Sequence, residues 1–267
     1  MQDIRDIIFK TIKDQKYRAV LIPETDGILY GMAYTERIAA ELGVEILRLC
    51  NDGDLIRAGE PFAQIVAYPK QIAMAEERII GTISKPSGIA TAAAKAISIA
   101  DGKTKIVSGA WKKMPQEIKS LIRNAVVAGG ASFRITEPPM VYIDKNFVRM
   151  LGSVSDALSA ATEIIDSTKV VQIRGETASI AQEALLAAEY GADIIMVDTG
   201  KPLDLLACVS SLQLSGLRDK IQVAFAGDVK LTDIPELAKM GADILDIGKA
   251  IIDAPLLDIR LDVVGGY

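Results

Sequence analysis

The sequence predicts an α/β protein whose second half is a β/α barrel, and three observations carry that expectation. Two segments, AQEALLAAEYGADIIMVDTG and IPELAKMGADILDIGKA, share one layout: a helix ended by glycine (Gly191, Gly241), a tight Ala-Asp, then a short apolar strand ending in polar residues. Apolar runs recur near residues 194, 222 and 244 with amphipathic helical segments between them. Runs too short to be helices, separated in this way, mark parallel strands covered by helices. Earlier runs at KTKIVSG, MVYID and KVVQIRG bring the strands to six, enough to close a barrel. An open doubly wound sheet is the competing architecture, and in either one a ligand meets the carboxyl ends of the strands.

The first hundred residues read differently. An amphipathic helix over 2–14 leads to the strand RAVLIP, a turn at Asp26-Gly27 and a short segment ending in Gly31. A helix from about Thr35 to Leu42 is closed by Gly43, and the strand VEILRLC, the turn NDGD and a strand pair around Gly59-Glu60-Pro61 follow. This pattern describes a small antiparallel sheet with helices on it. From Ile72 to Ser84 the period is helical again; SKPSG is expected to break or bend that helix before a second one, IATAAAKAISIA.

Composition narrows the function. The 267 residues are half hydrophobic and carry 30 basic against 35 acidic side chains, with no basic run or interleaved aromatic stripe, so nucleic acid is not the expected partner. No uninterrupted apolar stretch reaches the roughly 18 residues of a membrane span, and the charged, helical N-terminus argues for the cytoplasm. Cys50 and Cys208 lie far apart in apolar stretches, the pattern of reduced buried thiols. The chain has no histidine, which removes the commonest general base and leaves carboxylates, Lys, Arg, hydroxyls or a bound metal.

The strand tips supply the candidates: Ser108 to Lys112, Asp144 and Lys145, Arg174 to Glu176, Asp198 and Thr199, Gly227 and Asp228, Gly248 and Lys249. Asp198 ends the buried strand IIMVD, where a carboxylate serves as a magnesium ligand, accepts from a ribose hydroxyl or caps the next helix; Glu176 is a candidate to share the metal. Gly227 and Gly248 follow strands and precede helical segments, so they serve as phosphate cradles or as plain turns. Asp228 would repel a phosphate, and Lys249 would attract one. Arg78, Lys112 and Arg134 are candidate anion clamps or solvated surface charges.

Taken together, DGILYGMAYTERIAAELGVEI, NDGDLIRAGEPFAQIVA, AEERIIGTISKPSGIAT, NAVVAGGASFR, MVYIDKNF, YGADIIMVDTG, VAFAGDV and GADILDIGKAIIDAPLLDIRLDV resemble the quinolinate phosphoribosyltransferase family, in order and spacing over nearly the whole chain. The resemblance implies an N-terminal α/β sandwich domain over 1–100, to which the segment 256–267 returns, and a β/α barrel over 101–255. It further implies a homodimer or higher assembly with shared active sites. The implied reaction joins a pyridine dicarboxylate to phosphoribosyl pyrophosphate with magnesium, releasing pyrophosphate and carbon dioxide.

Within that resemblance Arg78 matches the arginine that reaches into the neighbouring subunit, and Lys112 and Arg134 match two further basic residues. Four stretches depart from the family pattern. Asp-Thr-Arg-Lys is GAWK here, with Trp111 at an arginine; His-Arg is Phe133-Arg134; Lys-Asp-Asn-His is Asp144-Lys145-Asn146-Phe147; Ser-Gly-Gly is Ala226-Gly227-Asp228. Either Arg174 or Glu176 stands at the first metal carboxylate, and Asp198 at the second. Each charged hydrogen bond lost to a buried anion costs about 1.5 to 3 kcal/mol, so quinolinate in the family's pose is not expected.

The leading expectation is a phosphoribosyltransferase-like enzyme for a less anionic aromatic acceptor. Lys112 and Arg134 would hold pyrophosphate or an acceptor carboxylate, and Asp198 with Glu176 would bind magnesium or ribose. Gly227, Asp228, Gly248 and Lys249 would form the phosphate end, while Trp111 and Phe133 stack on the acceptor beside Asp144, Lys145 and Arg174. A non-catalytic nucleotide- or cofactor-binding descendant is the alternative, and retained quinolinate chemistry with reshaped contacts is a third.

Overall fold

A computed structural model describes residues 3–267, which divide into two compact units: the residues up to 94 with 115–130 and 253–267 in the first, 95–114 and 131–252 in the second. In the first unit β1 (Tyr17–Pro23), β3 (Glu45–Leu49), β5 (Ala63–Ala67) and β12 (Ile259–Gly266) form an antiparallel sheet in the order β12-β1-β5-β3. The segments β2 (Gly27–Ile28) and β4 (Leu55–Ile56) pair with each other, so the two strands flanking Gly59 belong to different sheets rather than to one hairpin.

One core joins Leu21 and Ile65 of the sheet to Ile38 and Leu42 of α2 (Met32–Leu42) and to Ile72, Ile79 and Ile83 of α3 (Pro69–Ala100). Gly43, in the left-handed region, ends α2 as its neighbours require.

Three expectations are corrected here. The first helix, α1 (Ile4–Ile8), is far shorter than 2–14, whose first position lies outside the described residues. It buries no side chain, and a short helix without a packed face does not propagate. The SKPSG segment does not break α3, which runs through Pro86 for 32 residues. Ile79, Ile83, Ile89, Ala90 and Ala93 are fully buried along it, and that burial outweighs the single hydrogen bond a proline forfeits. Gly88 belongs to the same stretch for a different reason: a Cβ there would lie 2.0 Å from the Pro255 carbonyl oxygen, so glycine lets the 253–257 segment pass against the helix. Finally α4 (Lys119–Ala128), expected in the barrel, is grouped with the first unit. The Gly129 position explains how: its missing Cβ would meet the Ala90 carbonyl oxygen at 2.2 Å.

The second unit contains all six strands the sequence suggests: β6 (Lys105–Val107), β7 (Met140–Ile143), β8 (Thr168–Ile173), β9 (Ile194–Asp198), β10 (Gln222–Ala226) and β11 (Ile244–Asp246). They pair in parallel in the order β6-β11-β10-β9-β8-β7. The first strand beside the last, with the rest in chain order, is the strand order of a barrel, left unpaired between β6 and β7; a doubly wound sheet reverses direction in the middle. On its other edge β6 bridges Ser132, which begins the return toward β7.

Helices α5 (Lys145–Leu151), α6 (Val154–Ala160), α7 (Ile180–Glu189), α8 (Pro202–Leu214), α9 (Ile234–Lys239) and α10 (Lys249–Ile252) follow the strands. Val107, Val170, Ile194, Met196, Ala224 and Ile244 fill the interior. The tight Ala-Asp pairs have a structural task at the other end of the strands: Asp193 accepts from Lys169 N–H and Asp243 from Val223 N–H. Cys208 is buried under α8, and burial pushes its thiol up to about 12. Among the described residues no helix is long and apolar enough to cross a membrane.

Candidate functional site

Strand register decides which side chains reach the barrel mouth. Asp198 pairs laterally with Ala226, Ala226 with Asp246 and Asp246 with Val107, while Gln172 pairs with Met196 one layer below. Because side chains alternate along a strand, Tyr142, Gln172, Asp198 and Asp246 share the inward face with the core residues beneath them. Arg174, two residues beyond Gln172, continues that face.

These groups are wired together. Arg174 Nη1 donates to Asp198 Oδ2 at 2.7 Å, and Gln172 Nε2 donates a short hydrogen bond to the same oxygen. Gln172 uses its carbonyl to accept from Lys145 N–H at 2.7 Å, so one amide links β8, β9 and the start of α5. Asp144 caps α5, accepting from Asn146 N–H and Phe147 N–H. Arg149 donates two bonds of 2.7 Å to Glu176, whose Oε1 also lies 3.3 Å from Arg174 Nε. The guanidinium of Arg149 therefore holds the Glu176 carboxyl below its ordinary range.

Asp246 accepts from Gly109 N–H at 2.8 Å. Burial pushes its carboxyl above the ordinary range, with that backbone bond and Lys112 pulling the other way and Asp198 adding to the rise. Tyr142 is raised as well, by burial first and then by Asp246, Asp198 and Asp144. The Lys112 ammonium stands 5.0 Å from the centre of the Tyr142 ring. Trp111 Nε1 donates to the Phe133 carbonyl at 2.8 Å, and the two rings meet edge to face with centroids 6.1 Å apart. Arg134 lies over the Phe133 ring at 4.9 Å.

The structure thus brings Lys112, Trp111, Phe133, Arg134, Asp144, Lys145, Arg174 and Asp198 to one unit, and their partners are not those expected. Neither Asp144 nor Asp228 pairs with Lys112 or Arg134; Asp144 is spent on a helix cap. Arg78 lies in the first unit, where it donates to Glu41 of the same chain at 2.6 Å.

Gly227 sits in a tight backbone contact. It adopts φ +112°, and a Cβ would stand 2.4 Å from Gly200 N, so glycine serves the close approach of two loops. The adjoining cleft is lined by Asp228, Asp233 and Glu236, whose charge repels phosphate. Gly248 approaches Ala110, and the helix that Lys249 opens has only four residues.

The magnesium expectation fails a test of its donor set. Glu176 has both oxygens engaged by arginines and Asp198 has one, and among the described residues no group of three His, Cys, Asp or Glu side chains is arranged to hold a metal. A divalent ion at Asp198 would also face the Arg174 guanidinium, a repulsion on the order of several kcal/mol at the effective dielectric of a protein surface. As they stand, the two carboxylates that the resemblance assigns to magnesium are each held by an arginine.

Five residues of this arrangement escape the reading of the sequence: Tyr142, Arg149, Gln172, Glu183 and Asp246. Glu183 is the most telling. Only 1% exposed, it accepts from the backbone N–H groups of Arg174, Gly175, Thr177 and Ala178 and from the Thr177 hydroxyl. It therefore shapes the loop that carries Arg174 and Glu176.

The sequence matches the family model described as quinolinate phosphoribosyl transferase, C-terminal domain, over residues 89–262, and the corresponding N-terminal domain over residues 6–87. A probable nicotinate-nucleotide pyrophosphorylase [carboxylating] of Methanothermobacter thermautotrophicus is 26% identical, covering 97% of this chain and 94% of its own. The human nicotinate-nucleotide pyrophosphorylase [carboxylating] is 28% identical over 91% of this chain and 81% of its own. Among solved structures, the nicotinate-nucleotide pyrophosphorylase of Francisella tularensis superposes with a TM-score of 0.82 at 22% identity, covering 97% of this chain and 90% of that one. At such identity the superposition speaks for the fold.

Proposed function

Because this chain belongs to the quinolinate phosphoribosyl transferase family, we propose that it is a pentosyltransferase that moves a phosphoribosyl group from phosphoribosyl pyrophosphate to the ring nitrogen of an aromatic carboxylate of the pyridine type. The bond from the ribose C1 to pyrophosphate breaks and a C1–N bond forms. The sugar is positively charged as this happens, so fixed carboxylates near it stabilise the transition state without a general base, and the lack of histidine is no obstacle.

The observation that carries the reading is the charged ring at the barrel mouth. Asp198 has Oδ2 fixed by Arg174 and Gln172, which leaves Oδ1 to accept from a ribose hydroxyl. Lys112, exposed beside Tyr142, supplies a cation for the leaving group. The Trp111 and Phe133 rings supply the apolar wall for an acceptor.

The acceptor carries less negative charge than quinolinate. The aromatic pair supplies apolar surface, and the Asp198 and Asp246 side chains on the same face supply no positive charge for a second carboxylate, so the site favours a ring with one carboxylate at most. We also propose that the protein self-associates, with Arg78 presented to a second copy once its exposed pair with Glu41 opens; an exposed pair of this kind is worth about 0 to 1 kcal/mol.

Calorimetric titration of phosphoribosyl pyrophosphate into the protein and into Asp198→Ala tests the reading. Micromolar binding that the substitution weakens at least tenfold supports it, and pyrophosphate release on adding monocarboxylate heterocycles then identifies the acceptor class. No binding at millimolar ligand would sink it in favour of a non-catalytic role.

A further inference from the structure

We propose that Arg174 is the resident cation of this site, and that its guanidinium, braced by Arg149, takes the pyrophosphate end of the substrate without a divalent ion. The inference rests on the phosphoribosyl reading above and specifies how that reading handles the most highly charged part of the substrate.

Arg174 is anchored through two of its guanidinium nitrogens and open at the third. Nη1 is bonded to Asp198 and Nε lies 3.3 Å from Glu176, while Nη2 makes no hydrogen bond among the described residues. Its side chain keeps 30% of its surface exposed. A guanidinium held at two nitrogens presents the two N–H groups of the third in a fixed plane to phosphate oxygens, which a freely rotating lysine ammonium does not reproduce.

The position is also prepared in advance. Arg174 N–H and three further backbone N–H groups of its loop converge on the buried Glu183 carboxylate, so the backbone from which the guanidinium projects is fixed before any ligand arrives.

Charge balance points the same way. Asp198 and Glu176 carry two negative charges, and Arg174 and Arg149 return two positive ones. This is the balance the same carboxylates would reach with one divalent ion. Glu176 could turn to a metal only by giving up its two bonds to Arg149.

The test uses inorganic pyrophosphate as the probe, titrated into the full chain by calorimetry in EDTA and again with excess magnesium, with Trp111, the single tryptophan, as a fluorescent reporter. The wild type is expected to bind in EDTA within about threefold of its affinity with magnesium. Arg174→Gln should lose at least about tenfold, and Arg174→Lys, which keeps charge but not the fork, about fivefold. Arg174→Glu should lose binding in EDTA and regain it only with magnesium, because it exchanges the cation for a third carboxylate. Circular dichroism confirms that each variant is folded; if Arg174→Gln is not, Arg174→Lys carries the test. Wild-type binding that requires magnesium, or Arg174→Gln binding as well as wild type in EDTA, overturns this inference alone. Absence of pyrophosphate binding in both buffers overturns the transferase reading and this inference with it.

Discussion

Replacing Glu183 should unsettle the site from behind. Its Oε2 accepts from Arg174 N–H at 3.1 Å and Gly175 N–H at 2.8 Å; its Oε1 accepts from Thr177 N–H and the Thr177 hydroxyl, both at 2.8 Å, and from Ala178 N–H at 3.3 Å. Glu183→Gln keeps one oxygen and turns an NH2 group toward the other set of donors, so at least two hydrogen bonds to a charged acceptor are lost. At about 1.5 to 3 kcal/mol each, the loss is about 3 to 6 kcal/mol, and the lower end applies because Gly175 and Thr177 are exposed enough to recover water. Glu183→Ala leaves all five donors without the carboxylate and opens a cavity, which adds roughly 1 to 2 kcal/mol. With about 2 to 4 °C of melting temperature per kcal/mol in a chain of this size, Glu183→Gln should melt about 6 to 12 °C lower. Thermal unfolding followed by circular dichroism at neutral pH measures this. Pyrophosphate binding should weaken about tenfold in parallel, since Arg174 loses its fixed backbone. A melting temperature within about 1 °C of wild type would place Glu183 among ordinary surface substitutions, which shift stability by about 0.5 kcal/mol or less, and would refute the loop-organising role.

Two stability predictions follow from other parts of the chain. Asp246 has a folded-state pKa raised by burial, so its charge costs stability that is absent while it is protonated and grows as pH rises from the ordinary carboxylate range through the raised value. Asp246→Asn keeps the acceptor for Gly109 N–H and should stabilise the protein at neutral pH by about 1.4 kcal/mol for each unit of that rise, the gain fading in acid; urea midpoints that do not change from pH 4 to 8 would contradict it. Gly88→Ala should destabilise by about 3 kcal/mol or more, since its Cβ would strike backbone atoms of Pro255 and Leu256, whereas Gly81→Ala on the same helix meets nothing within 4 Å and should stabilise by about 0.5 to 1 kcal/mol. Equal urea midpoints for the two variants would remove the steric reason given for Gly88.

The barrel was legible because its signals are local and periodic. Each strand is a short apolar run, each helix has a 3.6-residue stripe, and Gly191 and Gly241 punctuate the units at the ends of α7 and α9. Where a tertiary contact overrides a local signal, the reading failed. Pro86 looks like a helix breaker, but five fully buried neighbours hold α3 together. Gly227, which the sequence offers as a phosphate cradle or a plain turn, has a packing task as well that no local signal gives: its lack of a side chain admits Gly200. The amphipathic stretch at the N-terminus has the right period, but Ile4–Ile8, the part that is helical, buries none of its side chains.

The site was legible only in part, because a functional side chain in a barrel is chosen by parity and register, which a one-residue shift inverts. Asp198 stands five residues after Asp193, and Asp246 three after Asp243. Both offsets are odd, so the two carboxylates had to share a face once the strands were paired, and that signal was available for Asp246. The same parity applied to β8 selects Gln172 and, just past the strand, Arg174 over their odd-numbered neighbours; Glu176 shares that parity, but β8 ends at Ile173, so Glu176 lies out in the loop and Arg174 is the one beside Asp198. No such rule reaches Arg149, which finds Glu176 across 27 residues of chain from the last turn of another helix. The choice of cation at the barrel mouth thus depends on one contact that strand periodicity reveals and on one that only the folded chain creates.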